Sequence, residues 1–498
     1  MNRDFDIVIA GSGFAGSLLA MIARRLGRTV LLLERDRHPR FAIGESSTPL
    51  ANLLLEELAR RYDLPRLLPF TKWGTWQRAH PEIACGLKRG FTFCHHQSGE
   101  PFTVDKERHR QLMVAASPHD EIADTHWFRE DFDAFLVGEA QRECVEYLDA
   151  VEVREVRPDA KVVLLRARHN GHDLNFTARF LIDATGPRGL LHRALGLGER
   201  TLSGYPATQS LFTHFRGVHR LDELMSSEDV PPYPVDDAAL HHVFPGGWIW
   251  VLRFNNGVTS AGVAVETALA NELRLAEGRP AWQRLLERLP TVREQFADSV
   301  ECRPFVHQPR LAFASAEICG PNWALLPSAA GFVDPLLSTG FPLTLLGVSR
   351  LARIIEDRWQ GADFATGLTD YARLTATELD TTAAMVGALY RSMDDPPLFN
   401  ALTQLYFAAA SYAESARRLG RPELATGFLL HAGPGFGEQL QRCLTATQSV
   451  INPKTRSELL AKIPLLIEPI NVAGLANPAR RNWYPARAED LLNAAGKL

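Results

Sequence analysis

The sequence predicts an α/β protein, α+β overall, with a parallel-sheet domain at its amino end, an antiparallel sheet in the middle and a helical carboxy-terminal third. Three observations carry this reading. A strand-like run at 6–10 and a helix-like run at 17–25 flank the glycine pattern Gly11-Ser-Gly-Phe-Ala-Gly16. Short alternating segments fill residues 205–265, with a hairpin signalled by Asn255-Asn-Gly257 between 248–252 and 258–265. Beyond residue 366 the apolar pattern is helical, with Pro and Gly breaks.

The glycine pattern has a physical purpose. Gly11 permits a tight turn, Gly13 leaves room for a pyrophosphate and Gly16 lets helix and strand pack closely. The loop through Phe14 and Ala15 then turns free amides and the positive end of a helix dipole toward the anion. A second strand at 29–33 ends at Glu34-Arg35, with the Glu34 carboxylate where an adenosine ribose offers its hydroxyls. Strand, turn, helix, strand and terminal acid in that order separate a Rossmann-like dinucleotide site from an ordinary glycine-rich turn.

Composition narrows the function classes. The 498 residues, 46% of them hydrophobic, suffice for a large buried core, and the length suggests about three domains. Lys and Arg total 54 against 58 Asp and Glu, a net charge of −4, so nothing draws the chain broadly to nucleic acid or anionic lipid. The opening residues run into the first strand without an apolar signal region, and no later stretch of about 18 residues is free of charge and polar breaks, so a soluble cytoplasmic protein with no membrane partner is expected. Six cysteines without a C-x-x-C pair argue against zinc and against a disulfide framework, and buried thiols are expected. His95-His96 and His241-His242 are strand neighbours pointing to opposite faces, so no metal site is expected from them.

The remaining elements follow in order. Gly44-Glu-Ser-Ser-Thr-Pro-Leu50 is a turn whose Ser and Thr cap a helix beginning near Pro49, and the loop should lie beside the nucleotide. Residues 70–125 read as a sheet-like insertion, 131–148 as an amphipathic helix, and 151–156, 161–168 and 175–182 as strands. The last strand ends in the polar turn Asp183-Ala-Thr-Gly186, returning to the nucleotide side. A short strand at 323–326 precedes Gly331-Phe-Val-Asp-Pro-Leu-Leu-Ser-Thr-Gly340 and an apolar helix at 342–355. These elements divide into a discontinuous nucleotide-binding domain (1–75, 126–200, 301–365), a substrate-binding sheet domain (76–125, 201–300) and a helical cover (366–498).

Taken together, the glycine loop, Gly44-Glu-Ser46, Lys88-Arg-Gly-Phe-Thr-Phe93, Arg129-Glu-Asp-Phe-Asp133, the Asp183–Gly186 turn, Gly247-Trp-Ile-Trp250 and Asp334-Pro-Leu-Leu-Ser-Thr-Gly340 resemble the FAD-dependent monooxygenases of the aromatic-hydroxylase type. Within these they resemble the flavin-dependent halogenases, over residues 5 to about 365. The resemblance implies FAD reduced by a separate flavin reductase, dioxygen as oxidant, and oxidation of halide to a hypohalous acid that a buried lysine relays to an aromatic substrate. It implies cofactor contacts at Gly11, Gly13, Phe14, Ala15, Gly16, Glu34, Arg35, Glu45, Ser46, Arg129, Asp183, Gly186, Ser328 and Asp334. The halide and flavin ring fall to Pro335, Ser338, Thr339 and Gly340, whose helix-start amides suit an anion. No second nucleotide fingerprint is present, in keeping with a separate reductase.

Lys88 is the expected catalytic residue by this resemblance. The alternation puts Lys88, Gly90 and Thr92 on one face and Leu87, Arg89 and Phe91 on the other. A lysine facing an apolar interior has a lowered pKa and can donate to, or react with, an electrophilic oxidant, whereas a solvated strand lysine does neither. Trp248 and Trp250 share a face and either wall a substrate passage or pack the core. Glu45 either opens a helix or orients substrate or flavin, Asp334 either caps a helix or meets the flavin, and Arg129 either holds the cofactor or pairs with Asp131 or Asp133 at the surface.

Three departures from the family pattern shape the functional reading. W-x-W-x-I-P becomes Trp248-Ile-Trp-Val-Leu-Arg253, and Arg253 either meets an acidic substrate group or points outward from the hairpin. Pro327-Ser328 replaces a Gly-Asp whose carboxylate would hold the ribityl chain, a weakening of about 1–2 kcal/mol. Leu337 replaces a glutamate of the tryptophan-type enzymes, pointing to phenols or pyrroles, free or tethered to a carrier protein. Halogenation is the leading expectation. Hydroxylation through an opened passage, and a flavin-binding maturation protein without turnover, are the alternatives.

Overall fold

In the computed structural model, which describes residues 2–225, 229–448 and 452–498, the apolar runs inside β1 (Asn2–Ala10) and β2 (Val30–Leu33) are buried on both faces, as parallel strands covered by helices must be. α1 (Phe14–Arg25) joins them and buries Leu18, Leu19 and Ile22. α2 (Pro49–Arg61) starts as its sequence requires, with the Thr48 side chain accepting from the Ala51 amide and Pro49 in the first turn.

The insertion that follows is mixed. It opens with helical turns at Pro65–Thr71 and Trp73–Ala79 before β3 (Cys85–Lys88), β4 (Gly90–His95), β5 (Gln111–Ala115) and β6 (Asp124–Trp127). Among the described residues β3 pairs only with β6, setting Lys88 opposite Asp124, whereas β4 enters the large second sheet. The chain therefore changes sheets at Arg89. The simple alternation expected across 87–92 breaks there, and Lys88 contacts Phe91 instead of facing away from it.

The expected helix at 131–148 occupies Arg129–Arg142 and stops at Cys144, whose φ of 59° no helix accommodates. The residues beyond it form β7 (Glu146–Leu148) on the edge of the first sheet. β8 (Val151–Pro158), β9 (Val163–His169) and β10 (His172–Asp183) make an antiparallel meander. β7, β2, β1, β10 and the Trp323–Leu325 strand then run side by side in parallel. Ala10 lies opposite Leu33 and Asp183, and Asp183 opposite Leu325, so the carboxyl ends of four strands are level. That edge is where an open parallel sheet binds ligands.

β11 (Thr208–Arg216), β12 (Ala239–Phe244), β13 (Gly247–Arg253) and β14 (Thr259–Glu266) build the second sheet with β4 and β5. The 255–257 hairpin joins β13 to β14 as its sequence indicates, with Gly257 at φ 77°. One face of this sheet looks toward the first sheet; the other packs on short helices between 267 and 296 through Leu211, Phe215, Ile249 and Trp282. The carboxy-terminal region is helical as expected, chiefly Phe364–Tyr390 and Pro396–Arg418, and it also returns a strand, Trp483–Tyr484, beside β5. Not every thiol is buried, since Cys144 and Cys302 are exposed. Among the described residues no helix is long and apolar enough to cross a membrane.

Candidate functional site

A cavity of about 1110 Å³ opens at the level strand ends and runs inward between the two sheets to Trp248, Trp250 and the start of the Gly340–Asp357 helix. Its outer half is built from glycine. Gly11 sits at φ 98°, and a Cβ there would lie 2.6 Å from the Ala184 carbonyl oxygen. A Cβ on Gly16 would lie 2.0 Å from the Gly11 carbonyl oxygen, so only glycine lets α1 approach β1 this closely. Gly13, Phe14 and Ala15 border the cavity at the α1 start, whose first-turn amides have no acceptor within the helix.

Glu34 stands at the rim of this cradle. It accepts from the Ser12 amide at 3.1 Å, the Ser12 hydroxyl at 2.8 Å and Arg40 at 2.9 Å. Burial works to raise its pKa, but Arg40 and these hydrogen bonds outweigh it and hold the carboxylate below its ordinary range. Arg35 borders the cavity mouth with a largely exposed side chain. Ser12 and Arg40 carry no motif of their own and emerge only from the folded loop.

Asp183 corrects an expectation. Its carboxylate accepts from the Thr185 amide, the Thr185 hydroxyl and the Leu191 amide at 2.6–2.8 Å, and so faces into its own turn. The cavity wall here is Ala184, Thr185 and Gly186. Asp183 shapes the turn and lies outside the lining.

Arg129 is neither a free cofactor clamp nor a surface ion pair. Its guanidinium makes a bidentate, buried pair with Asp133 at 2.8 and 2.7 Å and donates to the Gly44 carbonyl at 2.9 Å, so it fixes the Gly44-Glu-Ser46 loop from behind while bordering the cavity. In that loop Glu45 does not open a helix. Its Oε1 lies 2.8 Å from His214 Nε2, both side chains are buried, and the His214 ring is flanked by Phe41 and Phe128. His214 lies on β11, 169 residues away, and nothing in the sequence marks it.

Ser46 joins cavity to lysine. It lines the wall, and its hydroxyl accepts from Lys88 Nζ at 2.8 Å; the same ammonium donates to the Ser47 carbonyl at 2.5 Å and lies 3.8 Å from the centre of the Phe91 ring. Lys88 is 0% exposed, which rules out the solvated lysine. Burial pushes its pKa well below the usual lysine range, and Asp124 opposes that shift.

At the inner end, Asp334 lines the cavity and caps its own turn. Its Oδ1 accepts from the Leu336 amide at 2.9 Å, and its Oδ2 accepts from Tyr205 at 2.7 Å and Tyr390 at 2.9 Å. Burial raises its pKa to about 6 against those donors. Pro335, Ser338, Thr339 and Gly340 border the cavity beside it, as does Ser328. Ser338 has φ 54°, a left-handed conformation that costs a non-glycine residue about 1–3 kcal/mol and persists where the surroundings enforce it. Gly340 and Phe341 then present helix-start amides at the cavity end. Trp248 and Trp250, 5.6 Å apart, both wall the cavity and belong to the main core, so their two readings are one.

Arg253 also departs from expectation, pointing neither outward nor into the cavity. It pairs with Asp236 at 2.7 Å and donates to the Val218 and His219 carbonyls. Among the described residues no three His, Cys, Asp or Glu side chains are grouped as metal ligands; His96 and His242 bond each other at 2.9 Å and His242 bonds Gln295.

The cradle that glycine Cβ atoms would fill, the carboxylate at its rim and the aromatic inner wall fit a flavin dinucleotide, and the volume exceeds the ~300–1,000 Å³ of ordinary small-ligand sites. The sequence model of the tryptophan halogenase family matches residues 104–415. Monodechloroaminopyrrolnitrin halogenase PrnC of Pseudomonas fluorescens is 30% identical over 411 residues, 81% of this chain and 71% of that protein. Tetracycline 7-halogenase of Kitasatospora aureofaciens is 28% identical over 420 residues, 82% of this chain and 74% of that protein. The crystal structure of halogenase PltM with phloroglucinol and FAD superposes with a TM-score of 0.84 at 25% identity, covering 96% of this chain and 99% of that one.

Proposed function

Since the chain belongs to the tryptophan halogenase family, the activity to derive is FAD-dependent halogenation, and we propose that its substrate is an electron-rich phenol or pyrrole, free or carrier-tethered, with Lys88 as the catalytic residue. One observation carries the assignment of Lys88: a fully buried ammonium whose hydrogen-bond partner, Ser46, is part of the wall of the cofactor-sized cavity. Phloroglucinol, named in the PltM complex, is itself a phenol, and Leu337 stands where a tryptophan-type enzyme would have an acid.

FAD, reduced by a separate flavin reductase, supplies the activation of dioxygen that lets halide be oxidised to hypohalous acid. The residues of the chain do the rest. Gly11, Gly13 and Gly16 with the α1 amides would receive the pyrophosphate and Glu34 would accept from the ribose, while Arg129 with Asp133 holds the 44–46 loop in place. The Gly340 helix start beside Thr339 offers amides to halide. Phe212, Trp248 and Trp250 keep the inner end apolar, so the oxidant is not lost to water. Lys88, a donor in a dry pocket, holds the oxidant's oxygen and orients its halogen toward the ring.

The purified protein, with a flavin reductase, FAD and bromide, should brominate members of a panel of phenols, pyrroles and indoles. Lys88→Ala should lose nearly all halogenated product while still binding and reoxidising flavin. Hydroxylated products without any halogenated one would overturn the reading. Arg253, latched onto Asp236, lies outside the cavity lining, which favours halogenation over hydroxylation through a passage opened at that residue.

A further inference from the structure

Resting on the halogenase reading, we propose that Asp124 is the positioning residue for Lys88, holding its head group as a charged, three-donor ammonium beside Ser46. The register of β3 on β6 pairs the two residues directly, and side chains opposite each other in an antiparallel ladder share a face with Cβ atoms about 4.5–5.5 Å apart. An ammonium has three N–H donors, and two of those on Lys88 go to Ser46 Oγ and Ser47 O. On Asp124, Oδ1 accepts from the Asn52 amide at 2.8 Å, and Oδ2 is buried without a hydrogen-bond partner. The register thus sets Lys88, with a third donor to spare, and Asp124, with an acceptor that has no partner, on one face of the strand pair, near enough for their charges to act on each other without a direct hydrogen bond. An unpaired charge there is costly, and a carboxylate alongside offsets that cost.

The other charges around the pair do not replace this one. The Pro396–Arg418 helix brings Glu414 and Arg418 toward Asp124, one raising and one lowering its pKa, while burial is the larger influence and Lys88 the strongest opposing one. His126 on β6 and His241 on β12 face Lys88, but burial drives both far below their ordinary pKa, so they stay neutral. On Lys88 itself, burial and Asp124 are the two influences. Asn52 steadies the carboxylate from α2.

The chain has seven lysines, so labelling lysine with ¹³C at Cε gives a spectrum in which Lys88 is assigned by its loss in Lys88→Ala. In the flavin-free protein, Asp124→Asn should lower the Lys88 titration midpoint by about one pH unit or more. In the flavin-loaded enzyme it should move the alkaline limb of product formation down in step, with FAD affinity unchanged and Asp124→Glu restoring much of the range. Asn52→Ala, which keeps the carboxylate but removes its donor, should move the midpoint in the same direction by less, and it carries the test if Asp124→Asn does not fold. A Lys88 midpoint that stays or rises in these variants overturns the proposal. Failure of the wild type to halogenate would strike the functional reading instead, because the lysine titration is read without turnover.

Discussion

Asp334 shows how much one buried carboxylate sets at the inner end of the cavity. Two phenols and one amide donate to it, yet burial wins and lifts its pKa from 3.8 to about 6. A carboxyl with a raised folded-state pKa contributes stability that is fully present below its unfolded value and is lost as pH rises through the folded one. The window is therefore roughly pH 4 to 6. Asp334→Asn stays neutral throughout, so the wild type should lose stability relative to it across that window by up to about 1.4 kcal/mol per pH unit, with a constant difference above it. Urea unfolding of both proteins at pH 4, 5, 6 and 7 reads the difference. Parallel curves would show that Asp334 does not titrate there. Because Tyr390 ends the Phe364–Tyr390 helix, this carboxylate also ties the helical region to the cavity floor.

At the scale of elements, what the sequence made legible was periodicity, and what it hid was contact between distant strands. The β1–α1–β2 unit and the 255–257 hairpin follow from alternation, a 3.6-residue period and glycine placement, all local properties. A three-residue strand such as β7 has no period to detect, and the left-handed Cys144 that ends the preceding helix leaves no mark in composition. Lys88 was readable through its motif, but Ser47, Asp124 and His214 meet their partners only through sheet register and loop closure. Asp183 kept its place in the motif and turned the other way, because Thr185 and Leu191 offer donors two and eight residues on. Arg253 is the most instructive case. Its carbonyl oxygen lies where a Cβ on Gly86 would come within 2.0 Å, so β3 rests against the end of β13, and the pair with fully buried Asp236 fixes that end. Arg253→Ala leaves Asp236 buried without its cation, a loss of about 3–5 kcal/mol measurable by urea unfolding. A loss below about 1 kcal/mol, the value of an exposed pair, would mean the latch does not bear on the fold.

Across the whole molecule the two faces of the second sheet serve different ends. The face toward β1 carries Trp248 and Trp250 and belongs to the core that encloses the cavity, while the other face buries Ile249, Val251 and Trp483 in a separate apolar cluster. Trp483 arrives near the end of the chain to cover β5, which would otherwise be an open edge offering unpaired backbone groups. The Arg108 guanidinium lies 3.7 Å from the Trp483 ring centre, the indole N–H donates to Gln111 at 2.8 Å, and the Asn482 carbonyl accepts from the Met113 amide at 2.9 Å. Trp483→Ala should therefore cost about 3–5 kcal/mol, the usual range for a buried Trp, and lower amide-exchange protection along Gln111–Ala115. Since the lost contacts lie on the face away from the cavity, FAD affinity at a temperature where the variant is folded should match the wild type. A fall in FAD affinity that tracks the loss of stability would show instead that the sheet transmits strain from its edge to the cofactor cavity, and that its two faces do not behave as separate supports.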